Sequence, residues 1–331
     1  MFRNKRTRRI MVIVDLVVLL LLAAALYFTQ TEKAETDGTT DDVSHYYARY
    51  IEHDDRLYPV KRGLQSVLLI GTDKLEEGKK PAEVDVFYND ALADFLFLLV
   101  FDHEKKTVTP LQINRDTICD VPWLSVNGLV GGYVTTQITR AHLFGSGKQD
   151  SSRNTVNAVT GLLDGAPVDY YFKFTMDTVP IMNDLVGGVT LTLEDDVPTL
   201  GKKYVKGATI TLKGQEALRF VRTRSHEDLD ANVARMGHHR LYMNAFAAQA
   251  KKKIERNPEF VLDALEKVEK FLNTDMTAEL ISHLVDDYYD YEVLPVLTPT
   301  GTYTYREADS TAEFHADEES VWDCVRRAYC P

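Results

Sequence analysis

Ala93-Asp-Phe-Leu-Phe-Leu-Leu-Val-Phe101 carries one polar side chain in nine residues. A run that apolar is stable only where both of its faces are covered, and it is short for a buried helix, so it predicts a strand in the interior of a sheet. Two neighbours repeat the signal: Ser66–Ile70 before it and Thr107–Ile113 after it. The polar stretch Asp102–Lys106 between the last two reads as a hairpin turn, and Pro110 hints at a sheet edge or a bulge. Further strands are predicted over Asp169–Phe174, Val189–Leu193 and Ala208–Leu212.

Helices are predicted over Gln137–Phe144, Asn154–Leu163 (with Ser151 or Ser152 as its cap), Met176–Leu185, from Lys213 toward Arg222, Asp230–Lys253, Pro258–Leu272 and Thr277–Tyr288. Val261, Leu265, Val268 and Leu272 make one apolar stripe at helical spacing, which reads as a core-facing surface. A closing helix is expected over Glu313–Tyr329, residues 118–134 read as Gly-rich and irregular, and 295–305 reads as turn-rich. Strands and helices alternate, so the fold class is α/β, a central mixed β-sheet flanked by helices, in one domain over 61–331.

The N-terminus sets the compartment. Ile10–Phe28 is apolar except for Asp15, and as a helix it measures roughly 28 Å, about one hydrocarbon core. Arg3, Lys5, Arg6, Arg8 and Arg9 precede it and an acidic, polar segment follows. The positive-inside rule then gives a cytoplasmic tail (1–9), a single-pass anchor (10–28), a polar stalk (29–60) and an extracytoplasmic domain. A cleaved signal peptide is the rival reading, with small residues at Ala23–Ala25. A short helix over His45–Tyr58 is expected to lie on the domain. The formal net charge is −12, and the cations of the tail leave the body more acidic still. That excludes broad nucleic-acid binding, which needs a basic face.

An acidic body can still hold a small basic pocket. Arg222 and Arg224 stand two apart, so in an extended backbone they point the same way, whereas on a continuous helix they would diverge by about 200°. Two guanidinium forks converging on one spot suit a phosphate or diphosphate. Arg115 follows an apolar strand directly, and Arg235 comes soon after the pair; the expectation is that folding gathers these arginines into one anion cradle. Asp73, Asp94 and Asp116 stand at the ends of predicted strands, where open α/β sheets build their sites. Carboxylates beside bound phosphate are the usual holders of Mg2+, with turn or cap residues as the plainer reading. His238 and His239 are adjacent on a predicted helix, about 100° apart, which makes a poor metal pair and suggests surface histidines. Cys119, Cys324 and Cys330 allow one disulfide in any of its pairings, or simple packing. No nucleophile elbow, Walker loop or dinucleotide fingerprint is present.

The ordered motifs Leu68-Leu-Ile-Gly-Thr-Asp73, Ala93-Asp94, Asn114-Arg-Asp-Thr117, Val168-Asp-Tyr-Tyr171, Leu185-Val-Gly-Gly-Val189, Leu212-Lys-Gly-Gln-Glu-Ala-Leu218 and Val221-Arg-Thr-Arg224 make residues 64–250 resemble the LytR-CpsA-Psr family of cell-envelope proteins. The resemblance implies an α/β/α fold and a transferase outside the membrane. Such an enzyme moves a glycopolymer (a teichoic acid, capsule or similar chain) from a polyprenyl-pyrophosphate carrier to a hydroxyl of peptidoglycan through a phosphodiester. It also implies Mg2+ as cofactor, held by Asp73 and Asp94. Arg115, Arg222, Arg224 and Arg235 match the arginines that hold the pyrophosphate. Gln137 stands where a lysine is common and is assigned to substrate binding. Asp116, or Asp228 and Asp230, is the candidate acceptor of the hydroxyl proton. The chain departs from the pattern at Leu92, where the family often has Arg, at Asn232, where Asp is usual, and at His238-His239, where the family has Arg-Gln. The other functions considered are a membrane-tethered polyprenyl-pyrophosphate-binding protein without transfer, a pyrophosphatase and, last, a transcription regulator.

Overall fold

The computed structural model describes residues 49–73, 88–224, 231–257, 260–277, 280–281, 284, 291–306 and 311–331. The expected anchor at 10–28, most of the stalk, Asp228, Asp230 and most of the helix expected over 277–288 lie outside these residues. Among the described residues no helix is long and apolar enough to cross a membrane. The described chain divides into two compact units. The sheet unit takes in residues up to Thr175, Asn273–Met276 and Leu294–Pro331, and the helical unit takes in Met176–Leu272 and Thr277–Val293.

The sheet unit is built on the predicted apolar runs. Strands β1 (Tyr50–His53) and β2 (Arg56–Pro59) form an antiparallel hairpin where a short helix was expected. Its turn places Asp54 and Asp55 at positive φ, a conformation that Asp tolerates better than most residues. Strand β3 (Leu64–Thr72) is buried along its whole length and pairs antiparallel with β4 (Ala93–Asp102), which pairs antiparallel with β5 (Thr107–Ile113). On its other side β3 pairs parallel with β8 (Tyr170–Thr175), so the sheet is mixed. Pro110 sits within β5 opposite Leu99, and its carbonyl accepts a bond from Leu297 N–H at 2.8 Å.

One face of this sheet (Leu64, Leu68, Ile70, Leu96, Leu98, Val100, Leu111 and Ile113) joins a single core with helix α1 (Gln149–Leu162) and the C-terminal helix Glu318–Tyr329. The opposite face, with Val67, Leu69, Phe97, Leu99 and Phe101, is equally buried, which is why these strands read as unbroken apolar runs.

Two further regions differ from their sequence reading. Residues 118–137 are an antiparallel hairpin, β6 (Ile118–Leu124) with β7 (Val130–Gln137), whose register shifts between Trp123 and Leu124, leading into a 3-10 helix over Ile138–Leu143. Residues 301–316 form a second hairpin, Gly301–Tyr305 with Ala312–Ala316, so the last helix begins only at Glu318. Ser151 and Ser152 lie inside α1. Ser151 Oγ nonetheless accepts from Gly147 N–H, one turn earlier, at 2.9 Å.

The helical unit carries helix α2 (Thr178–Leu185), the hairpin of β9 (Val189–Thr192) with β10 (Thr209–Leu212), helix α3 (Gln215–Arg222) and the 26-residue helix α4 (Ala231–Arg256). Gly187 and Gly188, both at positive φ, end α2 as a C-terminal glycine stop does. Asn183 ties the region together: its Nδ2 donates to Leu212 O at 3.0 Å and its Oδ1 accepts from Val189 N–H at 3.2 Å. All three cysteines are free. Cys324 and Cys330 are core residues, and burial pushes the Cys324 thiol up to about 11 and Cys119 to about 12. These thiols serve packing, the plainer of the two roles the sequence allows.

Candidate functional site

In the sheet unit, strand pairing gathers four sequence-predicted residues at one end of the sheet. The β4–β5 register pairs Leu96 with Ile113, and carried two residues further it sets Asp94 opposite Arg115. Thr72, the last residue of β3, pairs with Ala93, so Asp73 follows on the neighbouring strand, about 4.8 Å away in the pairing direction. Arg115 Nη1 forms an ion pair with Asp94 Oδ1, and Arg115 Nε lies 3.3 Å from Asp116 Oδ1. All three side chains are largely buried, with 14%, 11% and 7% of side-chain surface exposed for Arg115, Asp94 and Asp116.

The corner that presents them is an Asx turn. Asn114 Oδ1 accepts from Asp116 N–H at 3.0 Å, and Asn114 O accepts from Thr117 Oγ1 at 2.7 Å. Asn114 Nδ2 donates to the Tyr303 hydroxyl at 2.7 Å, a partner supplied by the second hairpin. Asn114 and Tyr303 therefore position Arg115. Asn114 was legible as an Asx residue two positions before Asp116; Tyr303 gave no local signal. Gln137, predicted to bind substrate, is buried. Its Nε2 donates to Ala312 O at 2.8 Å and to Asp116 Oδ1 at 3.3 Å, so the structure places it behind Asp116 as a support for that carboxylate.

For Mg2+, the donor chemistry fits one kind of site. Asp73 and Asp94 are carboxylates on neighbouring strand ends, and Mg2+ is commonly held by one or two carboxylates completed by substrate phosphates and water. Among the described residues no group of three or more His, Cys, Asp and Glu side chains converges as a metal cage. The residues thus suit a metal shared with a bound phosphate.

In the helical unit, Arg222 is the last residue of α3, and Thr223 follows in an extended conformation (φ −71°, ψ 137°). The helix therefore stops between the two arginines, and the divergence expected on a continuous helix does not apply. Both side chains are exposed to solvent. Arg235, near the start of α4, is buried, and its Nε and Nη2 both donate to Asn232 Oδ1, at 3.0 and 2.6 Å. Asn232, where the family pattern has Asp, here fixes the guanidinium.

His238 and His239 are buried, at 7% and 6% exposure, which corrects the surface reading. A peptide carbonyl can only accept, so each ring nitrogen facing one must carry the proton. His238 Nδ1–H donates to Thr223 O at 3.1 Å, and His239 Nε2–H donates to Val221 O at 2.8 Å. The two rings thus hold the carbonyls on either side of Arg222, and the tautomer of each is set. The sequence could not flag this, because the acceptors lie 15 and 18 residues away.

Burial depresses the His238 imidazole, and burial followed by the nearby Arg235 charge lowers His239 to about 3. In the sheet unit, His142 donates through Nδ1 to Ala91 O at 2.9 Å, and burial lowers it to about 4. These groups are neutral when folded and take up a proton near pH 6.5 when unfolded. The unfolded state then binds more protons, so stability is full above about pH 6.5 and falls as pH drops from there toward the folded values. The expected slope is about 1.4 kcal/mol per pH unit per histidine. Denaturant titrations at pH 7.5, 6.5 and 5.5 should show it, and His239→Gln, which keeps an N–H donor but does not titrate, should remove its share.

Arg115, Asp73, Asp94, Asp116 and Gln137 belong to the sheet unit; Arg222, Arg224 and Arg235 belong to the helical unit. A family model described as the LytR_cpsA_psr family matches residues 23–323. The chain is 30% identical over 166 residues to the polyisoprenyl-teichoic acid–peptidoglycan teichoic acid transferase TagT of Bacillus subtilis, a match covering 48% of this chain and 45% of that protein. The chain spans about half the length of the first curated relatives it matches. Among solved structures, Lin1025 of Listeria innocua aligns with a TM-score of 0.54 at 25% identity, covering 80% of this chain and 96% of that one. A structure of TagT bound to LI-WTA aligns with a TM-score of 0.57 at 22% identity, covering 80% and 89%; at that identity the likeness concerns the fold.

Proposed function

The chain belongs to the LytR_cpsA_psr family, and from that premise we propose that it is an extracytoplasmic phosphotransferase. In this reading it joins a glycopolymer carried on a polyprenyl pyrophosphate to peptidoglycan, through a phosphodiester, from a single-pass anchor at 10–28. The observation that carries the reading is the arginine pair Arg222 and Arg224, exposed on either side of one extended residue and held from behind by two neutral histidines. Such forks grip diphosphate oxygens through paired charge-assisted bonds. Relatives named as teichoic acid–peptidoglycan transferases support the substrate class.

Each residue then has a task. Arg222 and Arg224 bind the diphosphate and Arg235 adds positive charge to it. Arg115 neutralises the charge that builds on the departing polyprenyl phosphate. Asp73 and Asp94 would hold a Mg2+ ion, which would supply charge withdrawal from the phosphate oxygens. The acceptor hydroxyl oxygen bonds to the sugar-proximal phosphorus, the bond from that phosphorus to the bridging oxygen breaks, and polyprenyl phosphate leaves with the electron pair. The hydroxyl proton passes to Asp116, which Arg115 and Gln137 hold in place.

The test incubates the full chain with labelled lipid-linked glycan, peptidoglycan and Mg2+. Label should move to the insoluble peptidoglycan and stop moving when the metal is chelated. Lipid binding without label transfer would convert the assignment to a receptor. Phosphate released in the absence of peptidoglycan would convert it to a pyrophosphatase.

A further inference from the structure

The β6–β7 hairpin has a composition unlike the rest of the chain. From Val121 to Thr139, nineteen residues pass without one charged side chain, in a protein whose residues are 27% charged. Its tip is apolar and open to solvent: Val126 is 69% exposed, Leu129 65%, Tyr133 69%, Val130 48% and Val134 40%. Exposed apolar residues gathered on one projection mark a contact surface, where scattered ones would not.

The turn at the tip is closed by hydrogen bonds of its own. Gly128, at φ +77°, closes the turn by donating its N–H to Ser125 O at 2.8 Å, and Ser125 N–H donates to Leu129 O at 2.9 Å. Ser125 Oγ shares its single proton between that carbonyl, at 2.9 Å, and Asn127 Oδ1, which also accepts Leu129 N–H at 3.3 Å. Polar groups paired with one another beside outward aliphatic chains suit a medium poor in water. Behind the tip the Trp123 ring lies across Gly131 and Gly132. A Cβ on Gly131 would come within 2.1 Å of that ring, and one on Gly132 within 2.9 Å of the indole nitrogen. The glycine pair is the bed that fixes the indole. At the base, Asn154 Nδ2 from α1 donates to Pro122 O at 2.8 Å and holds the ribbon to the sheet unit.

We propose that this hairpin tip seats in the interface of a lipid bilayer, with Val126, Leu129 and Val130 at the acyl boundary and Trp123 and Tyr133 at the level of the headgroups. A charged protein or glycan partner would need charged groups to read, and Val121–Thr139 offers none. A bilayer needs only aliphatic residues backed by amphipathic aromatics. Reach agrees: from Phe28 to Arg49 the chain has 21 residues, which span at most about 70 Å. The inference rests on the anchor reading of Ile10–Phe28 and is independent of the transfer reaction.

The protein's two tryptophans make the test direct. Trp322 is 9% exposed, belongs to the core and stacks on His53 at 4.1 Å. The full chain is reconstituted into vesicles of phosphatidylglycerol and phosphatidylcholine brominated on its acyl chains. With Trp322→Phe, the remaining Trp123 emission should drop at least two-fold relative to unbrominated vesicles. With Trp123→Phe, the remaining Trp322 emission should be unaffected. Adding Val126→Asp and Leu129→Asp to Trp322→Phe should abolish the quenching while the chain still floats with the vesicles. These tip positions bear no packing role, so folding should survive the change. A chain that floats but whose Trp123 emission ignores bromine overturns the proposal and assigns the tip to another partner. A chain that does not float overturns the anchor premise, and the proposal with it.

Discussion

Replacing Arg222 and Arg224 together by alanine should weaken the binding of a polyprenyl-pyrophosphate lipid by roughly 10²–10⁴-fold while leaving the fold intact. Each charge-assisted contact to a phosphate oxygen contributes about 1.5–3 kcal/mol, and two such contacts give that range. Both side chains are exposed, so neither truncation opens a cavity. The local cost is confined to Arg222, which sits in the last turn of α3, where a cation offsets the helix dipole by about 0.3–1 kcal/mol. Lysine at both positions keeps the charge but loses the planar fork, so the double lysine variant should fall between the two. Titration calorimetry with detergent-solubilised polyprenyl pyrophosphate measures the effect. An affinity within three-fold of the unsubstituted protein removes the arginine pair from the binding site.

Arg115→Ala should act on stability as well as on turnover. It leaves Asp94 and Asp116, both largely buried, without the guanidinium between them. Removing one partner of a buried ion pair typically costs about 3–5 kcal/mol, because the remaining charge is stranded, and the midpoint of thermal unfolding should fall by roughly 10 °C. One control separates stranded charge from lost packing: Asp94→Asn added to Arg115→Ala should recover at least half of the loss. A single variant that melts with the parent would show that the ion pair contributes nothing to the fold.

The central strands were legible for a physical reason. Residues of β3, β4 and β5 are buried on both faces, so burial left a composition that no other structure tolerates; Thr107–Ile113 matches its predicted limits. The Arg115–Asp94 pair was latent in the same reading. Once Asp102 is set opposite Thr107, antiparallel counting brings Asp94 to Arg115. The β6–β7 hairpin was hidden because the apolar residues of β7 face outward and its Gly131–Gly132 pair mimics a loop. In the structure those glycines are strand residues whose missing side chains make room for Trp123. The histidines were misjudged because their acceptors, Val221 O and Thr223 O, are backbone atoms in the last turn of another helix and just beyond it. No local pattern reports a bond of that kind.

On the proposed reading, the Arg115–Asp94 contact also sets a rule for how ligands would enter. At rest each group is the other's counterion, so an arriving anion must compete with a carboxylate already in place, and an arriving cation must compete with a guanidinium. When one succeeds, it orphans a charge of the sign its opposite number needs. Anion and cation are therefore thermodynamically linked at this corner: each should bind more tightly in the presence of the other, by the same factor in both directions. Inorganic phosphate without a divalent ion, or a divalent ion without phosphate, meets a lock whose key is in two halves.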